Sequence, residues 1–285
     1  MKRATISVFS LAFFLLAPVR AIENISNSTF NTTAPTSSDI SNWTTGWGSG
    51  GITGWDYVGQ VNGASGVYLG NGWVITAGHV GPGNFTLGGT TYSFVSGSAQ
   101  GVSDVNGTAD LTLFQIATQP TLPSLTLSLS LPVAFSPITA GSPVAMLGYG
   151  GGNESWGYNT VTQTNVLITP GGYSYVSNDF LTVNGTTTYG LSSVTNNYQL
   201  VGGDSGGGDF VFNSNTNLWE LTGINEVVGT GMINAQTATF SGMVQLNTYQ
   251  SQINAIVATP EPATWALLGL GLVFVWGYSR HRSSV

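Results

Sequence analysis

Ser205 sits in a run of glycines, in which Gln199 to Phe210 reads Gln-Leu-Val-Gly-Gly-Asp-Ser-Gly-Gly-Gly-Asp-Phe. Glycines on both sides allow turns with positive φ and let the backbone lie close against a ligand. A serine hydroxyl is a weak nucleophile until a base takes its proton, and the oxyanion it creates needs preorganised N–H donors. Successive main-chain N–H groups around Ser205 are candidates for those donors. The candidate base is His79, which ends the stretch Gly72-Trp-Val-Ile-Thr-Ala-Gly-His; the only other histidine, His281, lies in the C-terminal tail. An acid that accepts the second imidazole N–H would fix the tautomer and stabilise the imidazolium. Asp110 suits that role, at the mouth of the apolar alternating stretch Ala109 to Ile116. Asp104 competes with it, but precedes Asn106-Gly107 in a turn-forming sequence where solvation is its expected job.

These stretches resemble a known family. Gly203-Asp204-Ser205-Gly206-Gly207 is similar to the nucleophile motif of the chymotrypsin/trypsin-like serine proteases. Gly72 to His79 resembles their histidine motif, with Gly78 where the family usually has alanine, and Asp110 to Phe114 resembles their aspartate motif, with Thr112 as the departure. The order His79, Asp110, Ser205 is that of the chymotrypsin type. Weaker echoes at Leu131-Pro132, Gly148-Tyr149-Gly150 and Phe240 to Leu246 extend the match over Trp55 to Val257.

The resemblance implies an all-β fold of two antiparallel β-barrels of the chymotrypsin type with a short C-terminal helix. It implies a serine endopeptidase with catalytic His79, Asp110 and Ser205, and an oxyanion hole made by the N–H groups of Gly203 and Ser205. The family's primary pocket is often decided six residues before the serine, here Gln199. An acid there would select Lys or Arg, so tryptic specificity is not expected. Glu226, in the stretch Gly223-Ile-Asn-Glu-Val227 where the resemblance places the pocket wall, has three readings: reaching the pocket, bracing the triad, or lying solvated on a strand. Many relatives also insert a new α-amino group beside the aspartate before the serine. For Asp204 that amine would come from Ile22 or Ile40, unless backbone donors hold the carboxylate instead.

The charge pattern is extreme. Only 6% of residues are charged, and all five basic ones lie at the ends: Lys2, Arg3, Arg20, Arg280 and Arg282. Eleven acids lie between Ile22 and Ala258 with no Lys or Arg among them. Nucleic-acid binding is excluded as an expectation, because counterion release needs basic side chains. With one histidine, no cysteine and no compact carboxylate loop in the folded region, no cofactor or metal is expected.

The elements that must position these residues read as short β-strands, with Val67–Leu69, Trp73–Thr76, Leu111–Ile116, Val144–Leu147, Tyr173–Val176, Phe210–Phe212 and Leu218–Ile224 as examples. A helix is expected from an Asn247 N-cap, with Tyr249, Ile253 and Ile256 at helical spacing. Residues 1–21 read as a secretory signal peptide: a basic start, an apolar run and small residues at the cleavage positions. Residues 22–50, rich in Ser, Thr and Asn, read as a flexible leader before a protease domain at 51–257. The tail 258–285 carries Pro-Glu-Pro, an apolar segment at 263–279 and terminal arginines. It resembles the PEP-CTERM sorting signal, which implies an exosortase-type processing partner, transient anchoring in the inner membrane, and delivery to the cell surface or extracellular matrix. The expected function is therefore an exported bacterial endopeptidase acting on protein or peptide substrates. The alternatives are an inactive protease-fold surface or matrix binding protein, or an esterase using the same triad.

Overall fold

The computed structural model describes residues 5–7, 22–25, 27–47, 51–120, 122, 138–184, 198–233 and 236–257. The expected signal segment is described only over β1 (Thr5–Ser7), and the apolar segment 263–279 and Leu131-Pro132 lie outside the described residues. No helix among the described residues is long and apolar enough to cross a membrane.

Short strands β2 (Glu23–Asn24) and β3 (Thr29–Phe30) follow β1. A seven-stranded sheet then forms from β4 (Val58–Val61), β5 (Ala64–Gly70), β6 (Trp73–Thr76), β7 (Phe85–Leu87), β8 (Thr90–Tyr92), β9 (Gln100–Asp104) and β10 (Gly107–Gln115). Its order is β8-β7-β4-β5-β6-β10-β9. Next come β11 (Pro143–Gly148), β12 (Ser155–Thr169), β13 (Ser177–Asn184) and β14 (Tyr198–Gln199), then β15 (Gly208–Asn213), β16 (Leu218–Ile233) and β17 (Gln236–Gln245). The second sheet runs β1-β12-β11-β15-β16-β17-β13, with an additional β12–β13 ladder, and β14 joins β2 and β3 in a small third sheet. The expected all-β architecture is present. The first sheet stays open as a ladder, because β8 and β9 do not pair with each other.

Local sequence explains the tight hairpins beside the site. Asn62-Gly63 and Asn71-Gly72 both take positive φ, the backbone that a two-residue turn of twisted strands requires. They set the registers Val61↔Ala64 and Gly70↔Trp73. Apolar side chains of the second sheet, including Val144, Met146, Val161, Phe180 and Met243, pack into a buried cluster that also takes in Ile22 and Leu200.

Three expectations need correction. The 22–50 stretch is packed over its described residues: Ile22, Ile40 and Trp43 are buried, and Trp43 meets Trp47 and Trp219 edge-on with centroids 5.0 Å apart in each case. Its apolar residues are few but large, so a polar average conceals an anchor. Tyr173–Val176 is not a strand; Tyr173 lies in a turn after Pro170, and β13 begins at Ser177. The helix α1 (Gln250–Val257) is entered through a 3-10 turn, Leu246–Tyr249, so Asn247 is not its N-cap and instead accepts a bond from the Gln245 amide at 2.7 Å. The chain divides into two compact units, 1–250 and 251–285; the second is described only over the rest of α1.

With no Lys or Arg in the domain, buried carboxyls must hold protons or main-chain donors. Burial pushes Glu154 up to about 9, and Asp179 and Asp204 up to about 7. It raises Asp209 and Glu226 well above the usual carboxylate range. Asp209 is the starkest case, since neither of its oxygens meets a donor among the described residues. Each of these groups holds its proton more tightly in the fold than in the unfolded chain. Their stabilising contribution is therefore full below the unfolded carboxyl range and drains away as pH rises through about 7 and then about 9. We predict that the unfolding temperature falls steadily from about pH 5 to about pH 9, and that Asp209→Asn flattens part of that slope. A melting temperature that is level or rising across that range in calorimetry would contradict this.

Candidate active site

β6 is buried along its whole length and delivers Ala77, Gly78 and His79 to the end of the first sheet. β10 runs antiparallel to it with Thr112 opposite Thr76, so Asp110, two residues earlier, arrives beside His79. The β9–β10 register shifts between Thr108 and Thr112, a bulge that takes residues 109–111 out of that ladder. Asp110 is fully buried. Its Oδ2 lies 2.6 Å from His79 Nδ1 and its Oδ1 accepts the His79 main-chain N–H at 2.7 Å. One carboxylate thus fixes both the ring and the backbone of the histidine.

Gly78 has a steric reason. A Cβ there would lie 2.9 Å from both Asp110 Oδ1 and Tyr175 Cζ, so the Tyr175 ring fills the space an alanine methyl would take. Tyr173, stacked near Tyr175 at 6.2 Å, leans over His79 with ring centroids 5.1 Å apart.

The serine turn is held from both sheets. On the first sheet, Ser65 of β5 donates its N–H to the Ser205 carbonyl at 2.9 Å and its hydroxyl to the Gly203 carbonyl at 3.1 Å. The same hydroxyl accepts the Tyr149 N–H at 2.8 Å. On the second, Asn225 of β16 accepts the Gly206 N–H at 2.8 Å and donates its amide to the carbonyls of Leu147 and Asp204. Gly206 has φ +85°, and a Cβ there would fall 2.2 Å from Ser65 O and Thr76 Oγ1, so only glycine fits. The N–H groups of Asp204, Gly206 and Gly207 are all spent on carbonyls. Those of Gly203 and Ser205 meet no acceptor among the described residues.

His79 and Ser205 line one cavity of about 180 Å³, together with Pro170, Gly171, Tyr173, Leu200 to Gly202 and Glu226 to Val228. No hydrogen bond joins Ser205 to the imidazole among the described residues; the two meet across this cavity. Two sequence-predicted pocket residues fare differently. Gln199 pairs with Glu23 in the small third sheet, and the cavity wall begins at Leu200. Glu226 does line the cavity and is buried, not solvated; Ser177 donates its hydroxyl to Glu226 Oε1 at 2.8 Å. Asp104 caps its own turn, accepting the Asn106 N–H at 2.7 Å.

Asp204, fully buried, accepts main-chain N–H groups from Val201 at 2.8 Å, Gly150 at 3.0 Å and Ile22. Burial raises it to about 7, and these backbone bonds pull in the opposite direction. Ile40, the other expected amine source, spends its N–H on the Thr36 carbonyl at 3.0 Å. Among the described residues no cluster of three or more His, Cys, Asp or Glu is arranged to hold a metal. Sequence reasoning overlooked Tyr173, Ser177, Asp179 and Asn225. Only position signalled them, because each lies on a segment flanking a motif.

The family model described as Trypsin matches residues 48–251, and the one described as PEP-CTERM protein-sorting motif matches residues 258–282. No curated protein matches the sequence. Among solved structures, the MamO protease domain of Magnetospirillum magneticum is 20% identical, with 68% of this chain and 89% of that one covered and a TM-score of 0.42. The active form of the Rv3671c protease from M. tuberculosis is 16% identical, covering 70% and 75%, with a TM-score of 0.43. A mutant of human heparin binding protein is 16% identical, covering 73% and 93%, with a TM-score of 0.48.

Ser65 is the bond that ties the two sheets together at this turn. Ser65→Ala leaves the part-buried Tyr149 N–H and the Gly203 carbonyl without this partner, and we predict a loss of about 1–3 kcal/mol in denaturant unfolding. A loss within about 0.5 kcal/mol, the range of an uninvolved surface change, would contradict the bridging role.

Proposed function

The chain belongs to the trypsin family, and from that premise we propose that it is an exported serine endopeptidase working through an acyl-enzyme. Ser205 Oγ attacks the scissile carbonyl, and His79 takes its proton and returns it to the leaving amine. Asp110 holds the ring and offsets the imidazolium charge, and the N–H groups of Gly203 and Ser205 receive the oxyanion. The observation that carries the reading is the 2.6 Å contact of Asp110 Oδ2 with His79 Nδ1, at the edge of the cavity that His79 shares with Ser205. Water then deacylates the enzyme by the same acid–base path in reverse.

Removal of residues 1–21 makes Ile22 the N-terminus. Its buried side chain and its bond to Asp204 support the reading that the new ammonium stays beside that carboxylate and supplies the cation the domain otherwise lacks. Export and activation are then one cut. The sorting motif at 258–282 supports processing by an exosortase-type enzyme after passage through the inner membrane, with the protein delivered to the cell surface or matrix.

Leu200, Val201 and Val227 give the cavity apolar walls, and the Glu226 carboxyl is turned to Ser177. This supports cleavage after apolar residues of modest size, and not after Lys or Arg.

We predict that the exported protein cleaves a peptide library with that preference, and that Ser205→Ala and His79→Ala each lower kcat on the order of 10⁴-fold or more. A chain carrying one extra residue before Ile22 should lose most activity while remaining folded. Cleavage concentrated after Lys or Arg would refute the specificity, and a folded wild-type protein that cleaves nothing would leave the binding-module reading in its place.

A further inference from the structure

A line of hydrogen bonds runs behind the triad into the second sheet. The bulge in β10 leaves the Asp110 N–H free of β9, and it donates to Ser177 Oγ at 2.9 Å. Ser177, fully buried at the start of β13, donates a hydrogen bond from its hydroxyl to Glu226 Oε1 at 2.8 Å. Glu226 stands on β16 at a second bulge, where the register to β17 shifts between Asn225 and Val227. Its neighbour is the carboxyl of Asp179, two residues after Ser177 on β13 and also fully buried.

The remaining atoms of this pair specify a proton. Among the described residues, Glu226 Oε2 and both oxygens of Asp179 meet no N–H or hydroxyl donor. Two ionised carboxylates cannot sit side by side in a cation-free interior, and a carboxyl proton on Glu226 donated to Asp179 relieves both the repulsion and the unpaired oxygens. With that proton on Oε2, Oε1 is a carbonyl-type acceptor, which is what the Ser177 hydroxyl needs.

We propose that Glu226 is a positioning residue of the active site that works in its protonated form, gripping Ser177, which in turn holds the main chain of the Asp110 that orients His79. The proposal rests on the serine-protease reading of the site. The titratable groups facing the pair bear negative charge when ionised: Asp110 on β10, Asp209 on β15 beyond Asp179, and the Tyr249 phenol just before α1. The one cationic partner within the network is the imidazolium of His79, held on the far side of Asp110. Loss of the shared proton therefore adds an uncompensated charge to the network. It also leaves Glu226 and Asp179 repelling each other across the strands that aim Asp110. The amide of E226Q reproduces the protonated geometry without a titrating proton, since its carbonyl accepts from Ser177 and its N–H donates to Asp179.

The test is kcat and KM for the exported protein and for E226Q, E226A and S177A, measured from about pH 7 to about pH 10. At neutral pH, E226Q is expected to keep kcat within about threefold of wild type. E226A and S177A are expected to lose about tenfold or more in kcat with little change in KM, the mark of misplaced catalytic groups. As pH rises, the ratio of E226Q to wild-type kcat should climb, because only the wild type has a proton to lose at this position. Other alkaline titrations, such as that of the Ile22 amine, cancel in the ratio. A ratio that stays flat, or an E226Q that falls as far as E226A, overturns the proposal, as does an E226A with wild-type kcat. E226Q keeps the shape of the buried side chain, so the test stands even if E226A fails to fold. A wild-type protein with no peptidase activity at all would sink the functional reading instead, which separates the two failures.

Discussion

A carboxylate buried beside a histidine needs its charge offset, and between Ile22 and Ser279 this chain has no side-chain cation but His79 itself. Asp110 meets the constraint with the imidazole on one oxygen and a main-chain N–H on the other. The other interior acids meet it differently. Asp204 collects three main-chain donors, Glu226 and Asp179 share a proton, and Asp209 is left to stay neutral. The carboxyls around the candidate active site are thus held by protons and backbone dipoles, in a domain without lysine or arginine.

That constraint shapes the rest of the fold around the site. The serine turn is fastened without a lysine or arginine: by the Ser65 hydroxyl and N–H from the first sheet, by the Asn225 side chain and carbonyl from the second, and by main-chain donors on the Asp204 carboxyl. Because both sheets contribute, the distance between Ser205 and His79 depends on how the sheets meet, not on either one. Positioning and stability are coupled here. A change that loosens the Ser65 bridge acts on the chemistry through geometry even though Ser65 bears no charge.

Much of this was legible in the sequence. His79, Asp110 and Ser205 stood out because each is embedded in a motif whose glycines and alternating apolar residues fix the local backbone. The strands β6 and β10 were readable for the same reason. What escaped was decided by long-range packing. The 22–50 stretch has the average polarity of a loose leader, yet Ile22, Ile40 and Trp43 fill holes in the core that no local pattern reveals. Gln199 lies at the expected distance before the serine, but pairing with Glu23 takes it into the third sheet. Tyr173 has strand-like neighbours and is in a turn over His79, where its ring has a partner. Glu226 closes an unbroken buried run from Trp219 to Glu226, which the mixed polar and apolar sequence of β16 does not announce.

The most direct test of an activated serine in this setting is labelling of the exported protein with a fluorophosphonate, followed by peptide-level mass spectrometry. The account predicts a single adduct on Ser205 that disappears in His79→Ala while the fold persists. A folded, correctly processed protein that stays unlabelled, or one labelled at another residue, would contradict it.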